Sequence, residues 1–211
     1  MVRVNPHVCL VWAFATASVL PTGCALRMPA YPVHPASSYA NRISHDAVDI
    51  AIHPITGASE SKRYFGTNLV SRNVLAVLVV VDNHSSSSLV LDPTHCQLVG
   101  LPDRAGDEQL PGKGAGQAVG VLSVAAISPL LSVVAMKMMF DSENIKYNLH
   151  VKELARQTVS PGKSAQGFLY FRLPEGQSGK EAGTRWEVRI AVSRLGAAAT
   201  SHVSLAFDWE R

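Results

Sequence analysis

The sequence predicts a mainly β protein, an antiparallel β-sandwich carrying an inserted apolar helix or helical hairpin. Two observations carry that expectation: short β-branched runs separated by turn residues, and alternation of apolar and polar side chains within several of them. A third sets the insertion apart, a long uncharged stretch rich in Gly, Ala and Ser in the middle of the chain. With 211 residues, 47% of them hydrophobic and 17% charged, the chain can build one domain with a sizeable core and is not of disordered composition. Nineteen Lys and Arg against sixteen Asp and Glu leave a net charge of +3, scattered along the chain, so no nucleic-acid footprint is present.

The N-terminal residues have the order of a secretory leader. Arg3 is the positive start and Val8 to Leu20 the apolar centre, a run too short to span a bilayer. Pro21, Thr22 and Gly23 follow, and then Cys24. The stretch "SVLPTGC" resembles the lipobox of bacterial lipoproteins, with Leu20 one place further from the cysteine than in that family because Pro21 intervenes. The resemblance implies a signal peptide over 1–23 and a lipidated Cys24, carrying palmitate or a similar acyl group, as the mature N-terminus. Removal of the leader would also remove Cys9 and leave Cys96 without a disulfide partner. Stability must then come from a packed core.

Residues 24–44 are rich in prolines and small residues and read as a tether, with the sandwich domain over 45–211. "AVDIAIHPI" (Ala47 to Ile55) alternates as a half-buried strand does. "VLAVLVVVDN" (Val74 to Asn83) is continuously apolar and β-branched, as suits a central strand. "HSSSS" then reads as a polar turn and Leu89 to Gly100 as the returning strand of one long hairpin, with Pro93 at a bulge or edge. Gly167 to Leu173, Trp186 to Leu195 and His202 to Glu210 are three further strands, the last two joined by "GAAATS". Six or seven strands at this spacing suggest a sandwich of immunoglobulin-like type, without the Cys and Trp pattern of true immunoglobulin domains.

A helical insertion is expected at about 112–156. Gly114 to Met136 carries no charge, and as one helix those 23 residues would run about 34 Å, long enough to cross a membrane. Gly112, Gly116 and Gly120, then Ser128 and Ser132, recur every fourth position and would give one face for close helix contact. Pro129 would kink the helix or divide it into a hairpin. Three roles are open to the segment: packing on the sandwich, insertion into or along a membrane, and self-association. Asp141 to Gln157 then begins as an amphipathic helix capped by Asp141 or Ser142, before a turn at Pro161-Gly162.

"YFGTNL", the strand ending in "VDNHS", the apolar insertion and "KELARQTVSPGKSAQGFLYF" together resemble a group of uncharacterised proteobacterial envelope lipoproteins. The residues that carry the likeness include Thr158, Ser160, Pro161, Gly162, Gly167, Phe168, Tyr170 and Phe171. The resemblance implies an immunoglobulin-like sandwich in the cell envelope, on the outer membrane facing the periplasm, and implies no reaction.

Motifs of chemistry are missing from the sequence. "PGKS" lacks the upstream glycine of a phosphate loop, no G-x-S-x-G is present, and Gly112 to Gly120 does not satisfy G-x-G-x-x-G. His95 and Cys96 would point to opposite faces of a strand, while His45, His53, His84, His150 and His202 stand apart from one another. No cofactor, metal or catalytic residue is expected. Two functional classes follow: a non-enzymatic envelope lipoprotein that binds or assembles with a partner, or an enzyme or ligand carrier with a pocket between sandwich and insertion. The segment over 112–139 adds a third variant, a membrane-inserting, self-associating protein.

Overall fold

The computed structural model describes residues 28–101, 123–125, 140, 142–173, 185–197 and 200–208. They form two antiparallel sheets facing one another, with a third layer of helix and extended chain over the outer face of the first. The first sheet runs β1 (Asn41–His45), β2 (Val48–Ile55), β3 (Val74–Asn83), β8 (Lys163–Arg172). In the second, β9 (Arg185–Arg194) pairs on one side with β10 (Ser201–Asp208). On its other side it pairs with β4 (Leu89–Leu91) and β5 (Gln97–Leu101). Beyond these lie β7 (Gln157–Val159) on β4 and β6 (Ser123–Ala125) on β5.

The continuous apolar run of β3 has a direct cause: both of its faces are covered. Leu75, Val77, Val79 and Val81 belong to the core between the sheets, with Leu91, Leu98, Val188 and Ile190. Val74, Ala76, Leu78 and Val80 belong to a second core under the outer layer, with Phe65, Leu149, Phe168 and Tyr170. A strand dry on both faces does not alternate. By contrast β9 alternates, because Trp186, Val188 and Ile190 are buried while Arg185, Glu187 and Arg189 lie toward the solvent side.

The long hairpin expected over Val74 to Gly100 does not form. β3 sits between β2 and β8 in the first sheet, whereas β4 sits between β9 and β7 in the second. The chain changes sheets because Asn83, fully buried, ties the corner together. Its Nδ2 donates to the carbonyls of Ser87 and Val159, both at 2.9 Å. Its Oδ1 accepts from the Ser85 amide at 3.0 Å and the Ser85 hydroxyl at 2.6 Å. Its own carbonyl accepts from Gly162 N at 2.7 Å. "HSSSS" is thus a polar turn, but one that closes a crossing. Pro93 does mark an interruption: Asp92 caps a single 3-10 turn over Pro93–His95. Leu91 pairs with Val192 and Gln97 with Arg189, so the five residues between Leu91 and Gln97 oppose only two on β9.

Three further expectations change. The tether over 24–44 gives way to packed chain from Met28 onward: Ala36 is buried, its amide donates to Asp82 Oδ2 at 2.7 Å, and Asn41–His45 pairs with β2 as β1. Prolines spaced among Tyr31, Val33 and Tyr39 keep this chain extended while the side chains between them pack on the first sheet. Ser123–Ala125, expected inside a helix, is a strand on the free side of β5, where backbone pairing competes with the apolar periodicity that suggested helix. The rest of Gly114 to Met136 lies outside the described residues. A short helix not anticipated from sequence, α1 (Ala58–Phe65), ends at Gly66 in the left-handed conformation, φ 79°. The helix expected after the insertion is present as α2 (Glu143–Lys152), with Ser142 at its N-cap position.

After α2 the chain wraps the outer edge of β8. Leu154 N donates to Phe168 O at 2.9 Å and Glu153 bridges Phe168 in parallel. Gly167 makes this approach feasible, since a Cβ there would lie 2.6 Å from Leu154 Cα. The chain then becomes β7, turns at Ser160–Lys163 with Gly162 at φ 69°, and returns as β8.

Asn83→Leu keeps the volume but leaves the Val159 and Ser87 carbonyls without their donor. The expected loss is about 2–4 kcal/mol of unfolding free energy, measured by urea titration. Gly167→Ala should cost about 1–3 kcal/mol in the same measurement through overpacking against Leu154.

Candidate functional site

The outer layer leaves a cleft of about 440 Å³ between the chain at 28–33, α2 and β8. Met28, Tyr31, Tyr147, Val151, Lys152 and Gln166 are among its lining residues. Behind Tyr31, which lines it, lies an aromatic cluster. The Tyr31 ring meets Tyr64 and Phe168 edge to face at 4.7 and 5.3 Å between centroids, and Phe65 meets Phe168 at 5.0 Å.

Several polar groups at or behind the cleft hold elements in place. Tyr31 OH donates to Glu60 Oε1 at 2.8 Å, and burial, reinforced by the nearby Glu60 carboxylate, holds that phenol well above the ordinary tyrosine range. Asn148, buried on α2, accepts from Met28 N at 3.3 Å and donates to Asn144 O at 2.7 Å. Lys152 Nζ donates to Tyr64 O and lies 5.6 Å from the centre of the Phe65 ring; burial lowers its proton affinity. Tyr170 OH donates to Leu149 O at 3.1 Å, and complete burial pushes its ionisation up.

This geometry can bind an apolar group in a semi-enclosed cleft. Among the described residues no group of three or more His, Cys, Asp and Glu side chains could hold a metal ion. A smaller cavity of about 220 Å³ opens between β1 and β10, where Arg194 Nη2 and Asp46 Oδ2 join the two sheets at 3.0 Å.

The sequence-predicted residues fare differently. Cys24 and the contact face Gly112, Gly116, Gly120, Ser128 and Ser132 lie outside the described residues. His95 and Cys96 part company at the 3-10 turn: His95 is exposed, whereas Cys96 is 1% exposed and faces the core between the sheets. The Cys96 thiol donates to Asp92 O at 3.5 Å and accepts from Ala191 N at 3.4 Å. "PGKS" is the turn into β8. Sequence reasoning missed Met28, Tyr31 and Lys152. Tyr31 had one usable signal, an aromatic residue flanked by prolines in a segment otherwise read as linker.

No family model and no curated protein matches the chain. Among solved structures it is similar to a candidate lipoprotein, ycdA, from Bacillus subtilis, at 16% identity and a TM-score of 0.40, covering 80% of this chain and 38% of that one. The yjhA protein from Bacillus subtilis is similar at 10% identity and a TM-score of 0.37, over 72% of this chain and 77% of that one. A FixG-related protein from Vibrio parahaemolyticus is similar at 9% identity and a TM-score of 0.36, over 78% and 97%. The chain therefore spans well under half the length of ycdA, and at these scores none of the three carries an argument about function.

Burial pushes the Cys96 thiol up to about 11. Cys96 should therefore resist alkylation by iodoacetamide at neutral pH and react only after denaturant unfolds the chain, as followed by intact mass; rapid labelling of the folded protein would contradict its placement.

Proposed function

We propose that the protein is a membrane-anchored lipoprotein of the bacterial cell envelope, held through an acylated Cys24 and acting as a non-enzymatic binding or assembly module. The support in sequence is the order of the leader: positive start, apolar centre, small residues, cysteine. The observation that carries the reading is where the chain joins the fold. Met28 donates its backbone amide to Asn148 and lines the cleft, only four residues after Cys24. Four residues span at most about 14 Å, so an acylated Cys24 would hold the domain against the membrane with almost no slack.

Within this reading the two antiparallel sheets are an immunoglobulin-like sandwich, and the site of action is the outer membrane on its periplasmic side. Gly112, Gly116, Gly120, Ser128 and Ser132 would offer the insertion to a protein partner or a second copy. Among the described residues no helix is long and apolar enough to cross a membrane.

Cys24→Ser should abolish metabolic labelling with palmitate and release the protein from the membrane fraction. The wild type should show a mature N-terminus at Cys24 by mass spectrometry; an unlabelled wild type, or a Cys24→Ser variant that stays labelled and membrane-bound, overturns the anchor.

A further inference from the structure

The outer layer carries an unusual surface for one so close to the N-terminal attachment. On α2, Tyr147 and Val151 stand four residues apart on one face and remain 46% and 52% exposed. Both line the cleft, alongside Met28. At positions i and i+4 the two side chains are neighbours on the helix surface and form one small apolar patch. Tyr is also the residue type that sits well at a lipid headgroup boundary, with an apolar ring and a polar tip.

The leader and the apolar insertion both join the described chain on this layer. Met28, four residues after Cys24, has its side chain against Gly66 at the end of α1, and Ile145 of α2 reaches the same spot. The insertion rejoins the described chain at Phe140, which is buried in the core beneath this layer and carries the Arg72 guanidinium over its ring at 5.1 Å. Cations accompany the layer: Lys62 and Arg63, both exposed, lie in the last turn of α1, which packs against α2. By contrast the far sheet meets solvent with Glu187, Arg189 and Ser204 in a polar network.

We infer that the outer face of this layer, centred on Met28, Tyr147 and Val151, is the surface the protein lays against a lipid bilayer. The inference rests on the anchor at Cys24, and adds to it an orientation. A link of four residues cannot lift the domain away from the headgroups, so the surface nearest Met28 must meet them. That surface carries two exposed apolar side chains side by side, Tyr147 and Val151, whereas Leu195 of the far sheet stands singly in a turn. Val151 and the Tyr147 ring would sit at the headgroup boundary and Lys62 and Arg63 would meet lipid phosphates, each cation contributing a modest attraction where the lipids are anionic.

The test places an environment-sensitive fluorophore on Val151→Cys and, separately, on Leu195→Cys. Leu195 is 64% exposed and lies in the turn after β9 of the far sheet. Both sites tolerate substitution because they are open, and buried Cys96 does not compete for the label. The full-length lipidated protein is reconstituted in vesicles of phosphatidylethanolamine and phosphatidylglycerol, and the vesicle-bound fraction is read. Blue-shifted emission with loss of iodide quenching at 151, and a water-like probe at 195, is the expected result. A water-like probe at 151 in vesicle-bound protein overturns the orientation while leaving the anchor standing. A probe at 151 shielded equally in detergent and in vesicles also overturns it, since a protein segment or a second copy then covers the face. Failure of the wild-type protein to associate with vesicles is a failure of the anchor itself.

Discussion

The side-chain amide of Asn83 decides where the chain leaves one sheet for the other. Its donor hydrogens and its acceptor oxygen are all used inside the protein, on Ser87, Val159 and Ser85, while its backbone carbonyl takes the amide of Gly162. Two crossings are therefore tied at one residue: β3 to β4 and β7 to β8. A buried amide has no water to fall back on, so satisfying it specifies the geometry of both corners at once. With the corners placed, β8 must lie beside β3 in the first sheet and β7 beside β4 in the second.

The outer layer follows from that arrangement. Because β8 is the edge strand beside β3, the segment leaving α2 can pair along it only if nothing projects from Gly167, and the glycine there meets Leu154 backbone directly. This pins α2 over Leu78, Phe168 and Tyr170, and the space left between α2 and the incoming chain at 28–33 becomes the cleft. Apolar burial on both faces of β3 supplies most of the cohesion, each large side chain contributing roughly 1.5–3 kcal/mol. Polar groups at the cleft mainly orient elements. Lys152 fastens α2 to the end of α1, and Tyr170 fastens it to β8.

The second sheet shows how an interruption is tolerated. Burial alone would raise the Asp92 carboxyl, but hydrogen bonds from Thr94 and the charges of His95 and Arg156 outweigh it and hold the group below the usual carboxylate range. The 3-10 turn is thus stabilised locally, and β4 and β5 remain in one line along β9. Cys96, next in sequence, turns inward and fills the core as a small hydrophobe.

Local chemistry was enough to determine strands β2, β3, β8, β9 and β10, the β9–β10 hairpin, α2 with Ser142 at its start, and the Pro161-Gly162 turn, because period-two patterning and turn residues act within a few positions. The mainly β, sandwich-like class was legible for the same reason. Sheet membership was not, since a pair of strands separated by a polar turn reads alike whether it closes a hairpin or crosses between sheets. Only the long-range bonds of Asn83, 76 residues from Val159, decide that. Nor did the prolines around Tyr31 reveal that their segment packs on the first sheet, since that depends on Asp82, Glu60 and Asn148 arriving from distant elements to meet its amides and hydroxyl. The cleft belongs to the same category: its lining comes from four stretches of chain that are neighbours only after folding, so no short motif could announce it.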